Sequence, residues 1–349
     1  MHGGDIYRNR VRLDYSVSLN PLGAPEEVRR ALEGSLERLG EYPDPAQDAV
    51  RFAISGLERI PAERIIAGNG ASELLMAAVR AIAPRRVLLF EPGYTGYAHA
   101  LHAANCEICT LTLAEGSGFA LTAEALAEMD RVRPDVVLIG DPVNPTGRNQ
   151  EDGLLSALID RAGQIGCSVI LDESFFLLSD KAAREEDVAH RLPENGDHLL
   201  LLRSLTKVLA MPGIRMGYLI SSERRIREIR AQLPEWNLPV TAEEAICAGC
   251  EVLARGAYLS RTRETIRTER AFLSDLLASA GCGVFAGETC FLLFTGPAGL
   301  GEALLKKGIL IRDCNDFTGL RPGFFRIAVR GHADNLLFAE AFREVMHEF

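Results

Sequence analysis

Lys207 is the residue whose neighbours in the sequence point most directly to chemistry. It ends the stretch Ser204-Leu205-Thr206-Lys207, which follows an apolar run at 199–202, and Arg215 comes eight residues later. An ammonium group at the end of a buried strand loses hydration, which is costly unless the charge is paired or removed. Imine formation with an aldehyde cofactor would remove the charge, and Ser204 and Arg215 could then hold that cofactor's phosphate. A solvated lysine in a surface loop is the alternative interpretation.

A glycine-rich turn, Gly68-Asn69-Gly70-Ala71-Ser72-Glu73, precedes a predicted helix. Glycines permit a tight turn, and amide groups at a helix start bind phosphate, so Gly70, Ala71 and Ser72 are candidate phosphate ligands. Glu73 stands where a dinucleotide-binding Gly-x-Gly-x-x-Gly motif has its last glycine. An ordinary helix N-cap at Ser72 is the alternative.

Three further side chains follow apolar strands. Asp172 ends a strand, where a carboxylate stays ionised only beside a cation or strong donor, and a pyridinium nitrogen is such a partner. Asn144 lies in the proline-rich loop 141–147 and could donate its amide to a phenolic oxygen. Tyr94 could stack on a flat heteroaromatic ring. The respective alternatives are a helix N-cap, a structural turn and core packing.

The elements that must position these residues alternate between apolar strands and helices, which is typical of a mostly parallel sheet covered on both faces. Polar side chains at the strands' carboxyl ends would then meet at one edge, where such sheets bind ligands. The predicted strands are 87–90, 108–113, 136–139, 169–171, 199–202 and 216–220. The predicted helices are 72–82, 97–104, 123–129, 153–165 and 223–232.

The C-terminal third has a different pattern. One long polar helix is predicted over about 241–280, followed by short strands near 284 and at 291–294, 309–311 and 324–329, with helices at 299–306 and 334–347. The helix at 25–39 has no sheet of its own, and we place it with this segment. We therefore expect a large domain over 41–245 and a small α+β domain, with an N-terminal arm, from 1–40 and 246–349.

Composition excludes several classes of function. The 349 residues are 47% hydrophobic, which supports a substantial core, and 38 basic against 48 acidic residues give a net charge of −10. This balance argues against a nucleic-acid or anionic-membrane partner, so local arginines must bind any anionic ligand. Because the chain has neither a membrane-length apolar run nor an export signal at its start, we expect a cytoplasmic protein.

Two cysteine pairs, Cys106-x-x-Cys109 and Cys247-x-x-Cys250, have the spacing of zinc ligands. The first pair lies in a strand-like run and the second in a helical run with no neighbouring histidine. We predict reduced thiols and no metal site.

Together these features describe a pyridoxal phosphate site, and the chain resembles the fold-type I aminotransferases of class I and II. Its most specific marks are Asn144-Pro145-Thr146-Gly147 and Ser204-x-x-Lys207 with Arg215. The resemblance implies a seven-stranded, mostly parallel sheet and pyridoxal 5'-phosphate as cofactor. It also implies roles: Lys207 forms the Schiff base, Asp172 meets the ring nitrogen, Asn144 meets the ring oxygen, Tyr94 stacks, and Ala71, Ser72, Ser204 and Arg215 hold the phosphate.

Nearly the whole chain is similar to a narrower group, the threonine-phosphate decarboxylases of cobalamin synthesis, which are relatives of the histidinol-phosphate aminotransferases. The similarity rests on His2-Gly3-Gly4-Asp5-Ile6, Asn20-Pro21-Leu22-Gly23, Tyr42-Pro43-Asp44 and Pro212-Gly213-Ile214-Arg215-Met216-Gly217-Tyr218. Phe175 favours the decarboxylases, because the aminotransferases typically carry tyrosine there. This resemblance implies decarboxylation of L-threonine O-3-phosphate, and a homodimer in which Tyr42 reaches the partner's cofactor.

The same resemblance indicates the substrate residues. Arg326 matches an arginine that binds carboxylate or phosphate, Arg312 matches a second one, and Asn20 belongs to the second motif. Planar guanidinium groups bind such anions in bidentate fashion. A solvated ion pair with Asp313 or Asp316 is the alternative for Arg312.

The sequence departs from the decarboxylases in three places. Ser18 replaces an asparagine, Pro239 replaces another, and Asp141-Pro142-Val143 replaces a Thr-Pro-Asn run. An aminotransferase of the histidinol-phosphate or aspartate type therefore stays an alternative, as does a non-catalytic phosphate-binding protein of the same fold.

Overall fold

The computed structural model describes residues 3–183 and 196–349, so His2 of the first motif lies outside the described residues. The strands are β1 (Leu13–Asp14), β2 (Ile65–Asn69), β3 (Arg86–Glu91), β4 (Glu107–Thr112), β5 (Val136–Gly140), β6 (Ser168–Asp172), β7 (Leu199–Ser204), β8 (Met216–Ile220), β9 (Gly283–Val284), β10 (Phe291–Thr295), β11 (Ile309–Leu310), β12 (Arg312–Asp313) and β13 (Phe324–Ala328). The helices are α1 (Glu26–Ser35), α2 (Asp48–Glu58), α3 (Ala71–Ile82), α4 (Gly96–Ala103), α5 (Glu124–Val132), α6 (Asp152–Ile165), α7 (Leu205–Val208), α8 (Glu223–Arg230), α9 (Val240–Ala254), α10 (Ala257–Ser279), α11 (Leu300–Lys306) and α12 (His332–Met346).

Seven strands form the large sheet in the order β2-β8-β7-β6-β5-β3-β4, and only β8 runs antiparallel to its neighbours. This confirms the expected mostly parallel α/β sheet. All six predicted strands are present, with ends that differ from the prediction by two residues or fewer. The sequence analysis missed β2, because its apolar run is short and ends in Gly68.

The sheet is buried on both faces, which explains its near-continuous apolar strands. Alternate residues belong to two separate cores: Leu88 and Val137 pack on one face, whereas Val87 and Val136 pack on the other. The edge strand β4 is the exception, because none of its residues is buried.

The reversed direction of β8 matters for the site. Met216, its first residue, pairs with Asn69, the last residue of β2, so Arg215 lies at the same edge as the carboxyl ends of the parallel strands. Gly217 permits the close approach, because a Cβ there would lie 2.6 Å from the amide nitrogen of Ala71.

The prediction of one helix over 241–280 is wrong. The structure has two helices, α9 and α10, separated at Arg255 and Gly256. Gly256 has a φ of 76°, a left-handed conformation that glycine adopts without steric cost and that ends α9. The domain boundary predicted at residue 245 falls inside α9.

We expected the first helix to belong to the small domain. In the structure α1 packs against α9, and its Val28 lies in the core that also holds Val50 and Ile54 of α2. The N-terminal strand β1 instead reaches the C-terminal part of the chain and pairs with β11.

The second sheet is antiparallel, in the order β12-β13-β10-β9. Its core includes Phe294, Phe338 and Phe342, with Leu13 and Tyr15 from the N-terminal segment. The strand predicted at 309–311 is split between β11 and β12. None of the helices in residues 3–183 and 196–349 is long and apolar enough to cross a membrane.

Candidate active site

A cavity of about 470 Å³ opens at the edge of the large sheet where the parallel strands end. The structure brings ten of the predicted site residues to its wall: Ala71, Ser72, Tyr94, Asn144, Asp172, Ser204, Lys207, Arg215, Arg312 and Arg326. Gly70, Asn20 and Tyr42 are not part of the wall.

One end of the cavity has the features of a phosphate site. Gly70 is the N-cap of α3, has a φ of 85°, and leaves the helix without a side-chain cap. Ser72 lies inside the first turn, so the alternative of an ordinary Ser72 cap is not what the structure shows. The amide groups of this turn are positioned to bind an anion, as at other helix starts.

Hydroxyl and guanidinium groups complete this end. The hydroxyls of Ser204 and Thr206 are 2.6 Å apart and both residues line the cavity. Arg215 has a left-handed backbone with a φ of 62°, a strained conformation for a residue with a side chain. A Cβ on Gly70 would lie 2.5 Å from Nη2 of Arg215, so the glycine leaves room for the guanidinium. This donor set fits a phosphate.

Asp172 lies at the middle of the cavity. Its Oδ1 accepts a hydrogen bond from the backbone N–H of Ser174 at 2.9 Å, and its Oδ2 accepts one from the hydroxyl of Tyr97 at 2.8 Å. Burial raises the pKa of Asp172, and these hydrogen bonds oppose the shift. Asp172 forms no ion pair within residues 3–183 and 196–349, so the site has room for a cationic partner such as a protonated ring nitrogen.

Tyr97 is a site residue that the sequence analysis missed. The signal was available, because Tyr97 follows Tyr94 by one helical turn at the start of the predicted helix 97–104. The two rings meet edge to face, with centroids 5.4 Å apart. A Cβ on Gly96 would lie 2.4 Å from Cε1 of Tyr94, so this glycine gives the Tyr94 ring its space.

Asn144 also lines the cavity. Its side-chain oxygen accepts a hydrogen bond from Nη1 of Arg326, and its Nδ2 has no partner in the described part of the chain. Lys181 fixes the start of the loop that carries Asn144. It donates to Asp141 Oδ2 and to the Gln150 carbonyl, each at 3.0 Å. Asn144 Nδ2 thus remains available as a donor to a ligand. Lys181 is a second residue that the sequence analysis missed.

Lys207 lies in α7, directly after β7. Burial lowers the pKa of its amine to about 8, and the positive charges of Arg326 and Arg215 act in the same direction. Nζ lies 5.9 Å from the centre of the Phe175 ring, and Lys207 forms no ion pair with the described residues. A neutral, nucleophilic amine is thus available at a lower pH than for an ordinary lysine.

Arg312 and Arg326 form the other end of the cavity and face each other on the neighbouring strands β12 and β13. They are only 4% and 7% exposed. Nη2 of Arg326 donates to the Ser16 carbonyl at 2.8 Å, and burial together with Arg312 lowers the pKa of Arg326. Two buried cations side by side favour the binding of an anion.

The ion pair with Asp316, which was the alternative interpretation of Arg312, is present in the structure. Its Nη2 donates to Asp316 Oδ1 at 2.7 Å, and its guanidinium also lies over the Phe317 ring at 4.9 Å. Arg312 is buried and lines the cavity, whereas Asp316 is exposed, so only the carboxylate of this ion pair is solvated.

We expected Asn20 to line the cavity, but it contacts the backbone around Lys207 instead. Its Nδ2 donates to the Val208 carbonyl and to Thr262 Oγ1, both at 2.8 Å, and its backbone N–H donates to the Lys207 carbonyl at 3.0 Å. Asn20 therefore fixes the backbone that carries Lys207.

Tyr42 is 78% exposed, and its ring packs against Trp236 with centroids 4.9 Å apart. It contributes nothing to the cavity of its own chain. Its role toward a partner subunit stays a prediction.

All eight cysteines are free thiols. Cys106 precedes β4 and Cys109 lies within it, whereas Cys247 and Cys250 share α9. Among the described residues, no group of three or more histidine, cysteine, aspartate or glutamate side chains could hold a metal ion.

Comparison with known proteins agrees with this geometry. A family model described as aminotransferase class I and II matches residues 13–341. The chain is 34% identical to a threonine-phosphate decarboxylase of Salmonella typhimurium, over 99% of this chain and 96% of that protein. It is 31% identical to histidinol-phosphate aminotransferase 1 of Ralstonia nicotianae, over 93% of this chain and 86% of that protein.

Two solved structures share the fold. A histidinol-phosphate aminotransferase from Clostridium acetobutylicum has a TM-score of 0.88 and 27% identity, covering 97% of this chain and 100% of that one. An L-threonine-O-3-phosphate decarboxylase from Porphyromonas gingivalis has a TM-score of 0.80 and 21% identity, covering 96% of this chain and 99% of that one. At 21% identity the second likeness shows the fold alone.

Proposed function

Because the chain belongs to the class I and II aminotransferase family, whose cofactor is pyridoxal 5'-phosphate, we propose that it decarboxylates L-threonine O-3-phosphate to 1-aminopropan-2-yl phosphate. The observation that carries the proposal is the buried pair Arg312 and Arg326 beside Lys207. The substrate brings a carboxylate and a phosphate dianion, and two buried guanidinium groups match two anions. The 34% identity to a threonine-phosphate decarboxylase also supports it.

The residues present fit the cofactor. Its phosphate would be held by the amides at the start of α3, the Ser72 and Ser204 hydroxyls and Arg215. Asp172 would meet the ring nitrogen, Asn144 Nδ2 the ring oxygen, and Tyr94 one face of the ring. When bound, the cofactor draws electrons away from the substrate's α-carbon.

The side chains of the protein then decide which bond breaks. Arg312 and Arg326 would fix the two anionic groups of the substrate, and their hold on the carboxylate would determine whether the carboxylate or the α-proton is lost. With a pKa of about 8, Lys207 Nζ holds a proton at neutral pH and can deliver it to the α-carbon once carbon dioxide has left. In an aminotransferase, the neutral amine of the same lysine would instead remove the α-proton.

The test is an assay of the purified protein with threonine phosphate, in which carbon dioxide is measured with and without 2-oxoglutarate. We expect equal release in both, and none from Lys207→Ala. Amine transfer that requires 2-oxoglutarate and yields no carbon dioxide would overturn the proposal.

An aminotransferase of the histidinol-phosphate type is the second candidate. It is favoured by the TM-score of 0.88 to the Clostridium enzyme and by the 31% identity to the Ralstonia enzyme. This function predicts turnover of histidinol phosphate that stops when the keto-acid acceptor is omitted. Cofactor binding without turnover of either substrate would instead support a non-catalytic phosphate-binding protein.

We also propose a homodimer in which Tyr42 reaches the partner's cofactor phosphate. Its support is the 78% exposure of the Tyr42 side chain, whose ring packs against Trp236. Mixing Lys207→Ala subunits with Tyr42→Ala subunits should restore activity, because one site of the hybrid would combine an intact lysine with an intact tyrosine. Hybrid dimers without restored activity would show that Tyr42 serves its own chain.

A further inference from the structure

Tyr97 makes a contact that the proposed function does not use. It lies in the first turn of α4, is 6% exposed, and packs in the core on one face of the large sheet. Its hydroxyl nevertheless points at a site residue 75 positions away in the chain, donating to Asp172 Oδ2 at 2.8 Å. A buried hydroxyl needs a hydrogen-bond acceptor, but a backbone carbonyl would satisfy it as well. Burial alone therefore does not explain why the acceptor is Asp172.

The contact is closely fitted. A Cβ on Gly140, at the end of β5, would lie 3.3 Å from the Tyr97 oxygen, so this glycine leaves just enough space for the hydroxyl. Ser174 occupies Oδ1 of Asp172 and Tyr97 occupies Oδ2. The carboxylate is therefore held at both oxygens, and its remaining lone pairs are available to a ligand in the cavity.

The surrounding charges make this hydrogen bond important. Glu173 follows Asp172 directly and disfavours its ionisation, as burial does, whereas the bonds from Ser174 and Tyr97 favour it. Burial raises the pKa of the Tyr97 phenol, and Asp172, Tyr94 and Glu91 raise it further, so the phenol stays a donor. Among the described residues, the charges of Asp172 and Lys207 also interact: burial lowers the pKa of the Lys207 amine, and Asp172 opposes that shift by raising it.

We propose that Tyr97 is a positioning residue for the cofactor: through Oδ2 it keeps Asp172 ionised and oriented, so that the carboxylate binds a protonated ring nitrogen. The inference rests on the binding of pyridoxal phosphate in this cavity and is independent of which substrate is used. Without the phenol, Asp172 would lose the hydrogen bond that the Tyr97 hydroxyl donates to Oδ2. Its neutral form would then be favoured. A neutral carboxyl group stabilises the protonated ring nitrogen less than a carboxylate does.

Cofactor affinity tests this directly. Apoprotein of the wild type and of Tyr97→Phe is titrated with pyridoxal phosphate and with its 1-deaza analogue, in which a C–H group replaces the ring nitrogen. We expect the substitution to weaken pyridoxal phosphate binding about tenfold, equivalent to about 1.4 kcal/mol. We expect it to leave binding of the analogue unchanged, because the analogue has no protonated ring nitrogen for the Asp172 carboxylate to bind.

Three further variants separate this role from simple packing. In an Asp172→Asn background, Tyr97→Phe should have no additional effect on affinity. Gly140→Ala, which crowds the Tyr97 hydroxyl from the other side, should weaken binding of pyridoxal phosphate more than binding of the analogue. Tyr15→Phe removes another buried phenol, one that donates to Asn335 at 2.9 Å outside the cavity, and should affect neither ligand.

Equal losses for both ligands in Tyr97→Phe would overturn the inference and leave Tyr97 a packing residue. Unchanged affinity for both ligands would overturn it as well. A protein that shows the expected pattern of affinities yet releases no carbon dioxide would overturn the decarboxylase proposal and leave the role of Tyr97 standing.

Discussion

The side-chain oxygen of Asn144 accepts a hydrogen bond from Nη1 of Arg326. One residue belongs to the loop after β5 in the large sheet, and the other to β13 in the small sheet, 182 positions later in the chain. The contact occupies the side-chain oxygen of Asn144, which leaves Nδ2 for the ring oxygen of the cofactor in the site that we propose. It also ties the candidate substrate arginine to the cofactor site, so the two binding functions are expected to be coupled.

Replacement of Arg326 by lysine should weaken substrate binding. Lysine keeps the charge but loses the planar pair of donors, and charge-assisted hydrogen bonds contribute about 1.5–3 kcal/mol each. We expect the KM for threonine phosphate to rise at least about 100-fold for two lost bonds, as measured by steady-state kinetics. The control is Arg321→Lys, because Arg321 is exposed and pairs with Glu115 at the surface. Similar KM values for the two variants would exclude Arg326 from the substrate site.

The pH dependence of cofactor capture should report the shifted pKa of Lys207. Only the neutral amine attacks the aldehyde, and burial with the nearby arginines lowers the pKa of Lys207 to about 8. The rate at which apoprotein binds pyridoxal phosphate covalently should therefore rise with pH up to about 8 and then level off. Arg326→Gln removes one cause of the shift and should move the midpoint to higher pH. A rate that keeps rising well above this value in the wild type would contradict the burial of the amine.

Alanine at position 70 should damage the phosphate site. The new Cβ would lie 2.5 Å from Nη2 of Arg215, and the backbone φ of 85° disfavours any side chain. We expect Gly70→Ala to weaken pyridoxal phosphate binding about tenfold or more, the magnitude of one lost charge-assisted bond. Gly213→Ala is the matched control in the loop that precedes Arg215, because a Cβ there meets no atom within 4 Å.

Arg215→Asn tests the charge at the same site without changing the backbone. Asparagine tolerates the left-handed conformation that Arg215 adopts, so the loop should keep its course while the guanidinium is lost. We expect affinity for pyridoxal phosphate to fall about 10- to 100-fold, with little change in affinity for pyridoxal. An equal loss for both ligands would indicate that the loop itself had moved.

A buried ion network beneath the site should dominate its stability. Arg203 lies between two carboxylates, with Nη1 at 2.7 Å from Glu58 Oε2 and Nη2 at 2.8 Å from Glu173 Oε2. In the chain, Arg203 directly precedes Ser204 and Glu173 directly follows Asp172. Arg203→Met leaves two buried carboxylates without their cation, so we expect the free energy of unfolding to fall by about 3–5 kcal/mol. Urea denaturation checks this. In Arg224→Met, which breaks an exposed pair with Asp197, the loss should stay below about 1 kcal/mol.

Local patterns explain why most elements of the large sheet could be predicted. Five of its strands have near-continuous apolar runs, which a sheet buried on both faces accommodates, and the helices between them carry their own periodicity. The missed strand β2 has a short apolar run, and its position depends on pairing with β8, which is remote in the sequence. The break at Gly256 was missed because a single glycine does not show from the sequence whether its φ is positive.

The sequence by itself determined the types of chemical group at the strand ends, because the alternation of strands and helices brings those ends to one edge. It did not determine their partners. Tyr97 with Asp172, Arg326 with Asn144, and Asn20 with Thr262 are hydrogen bonds between residues 75, 182 and 242 positions apart. The tertiary structure decided these contacts, because a buried polar group bonds to whichever donor or acceptor packing places within about 3 Å of it, and packing depends on the whole chain.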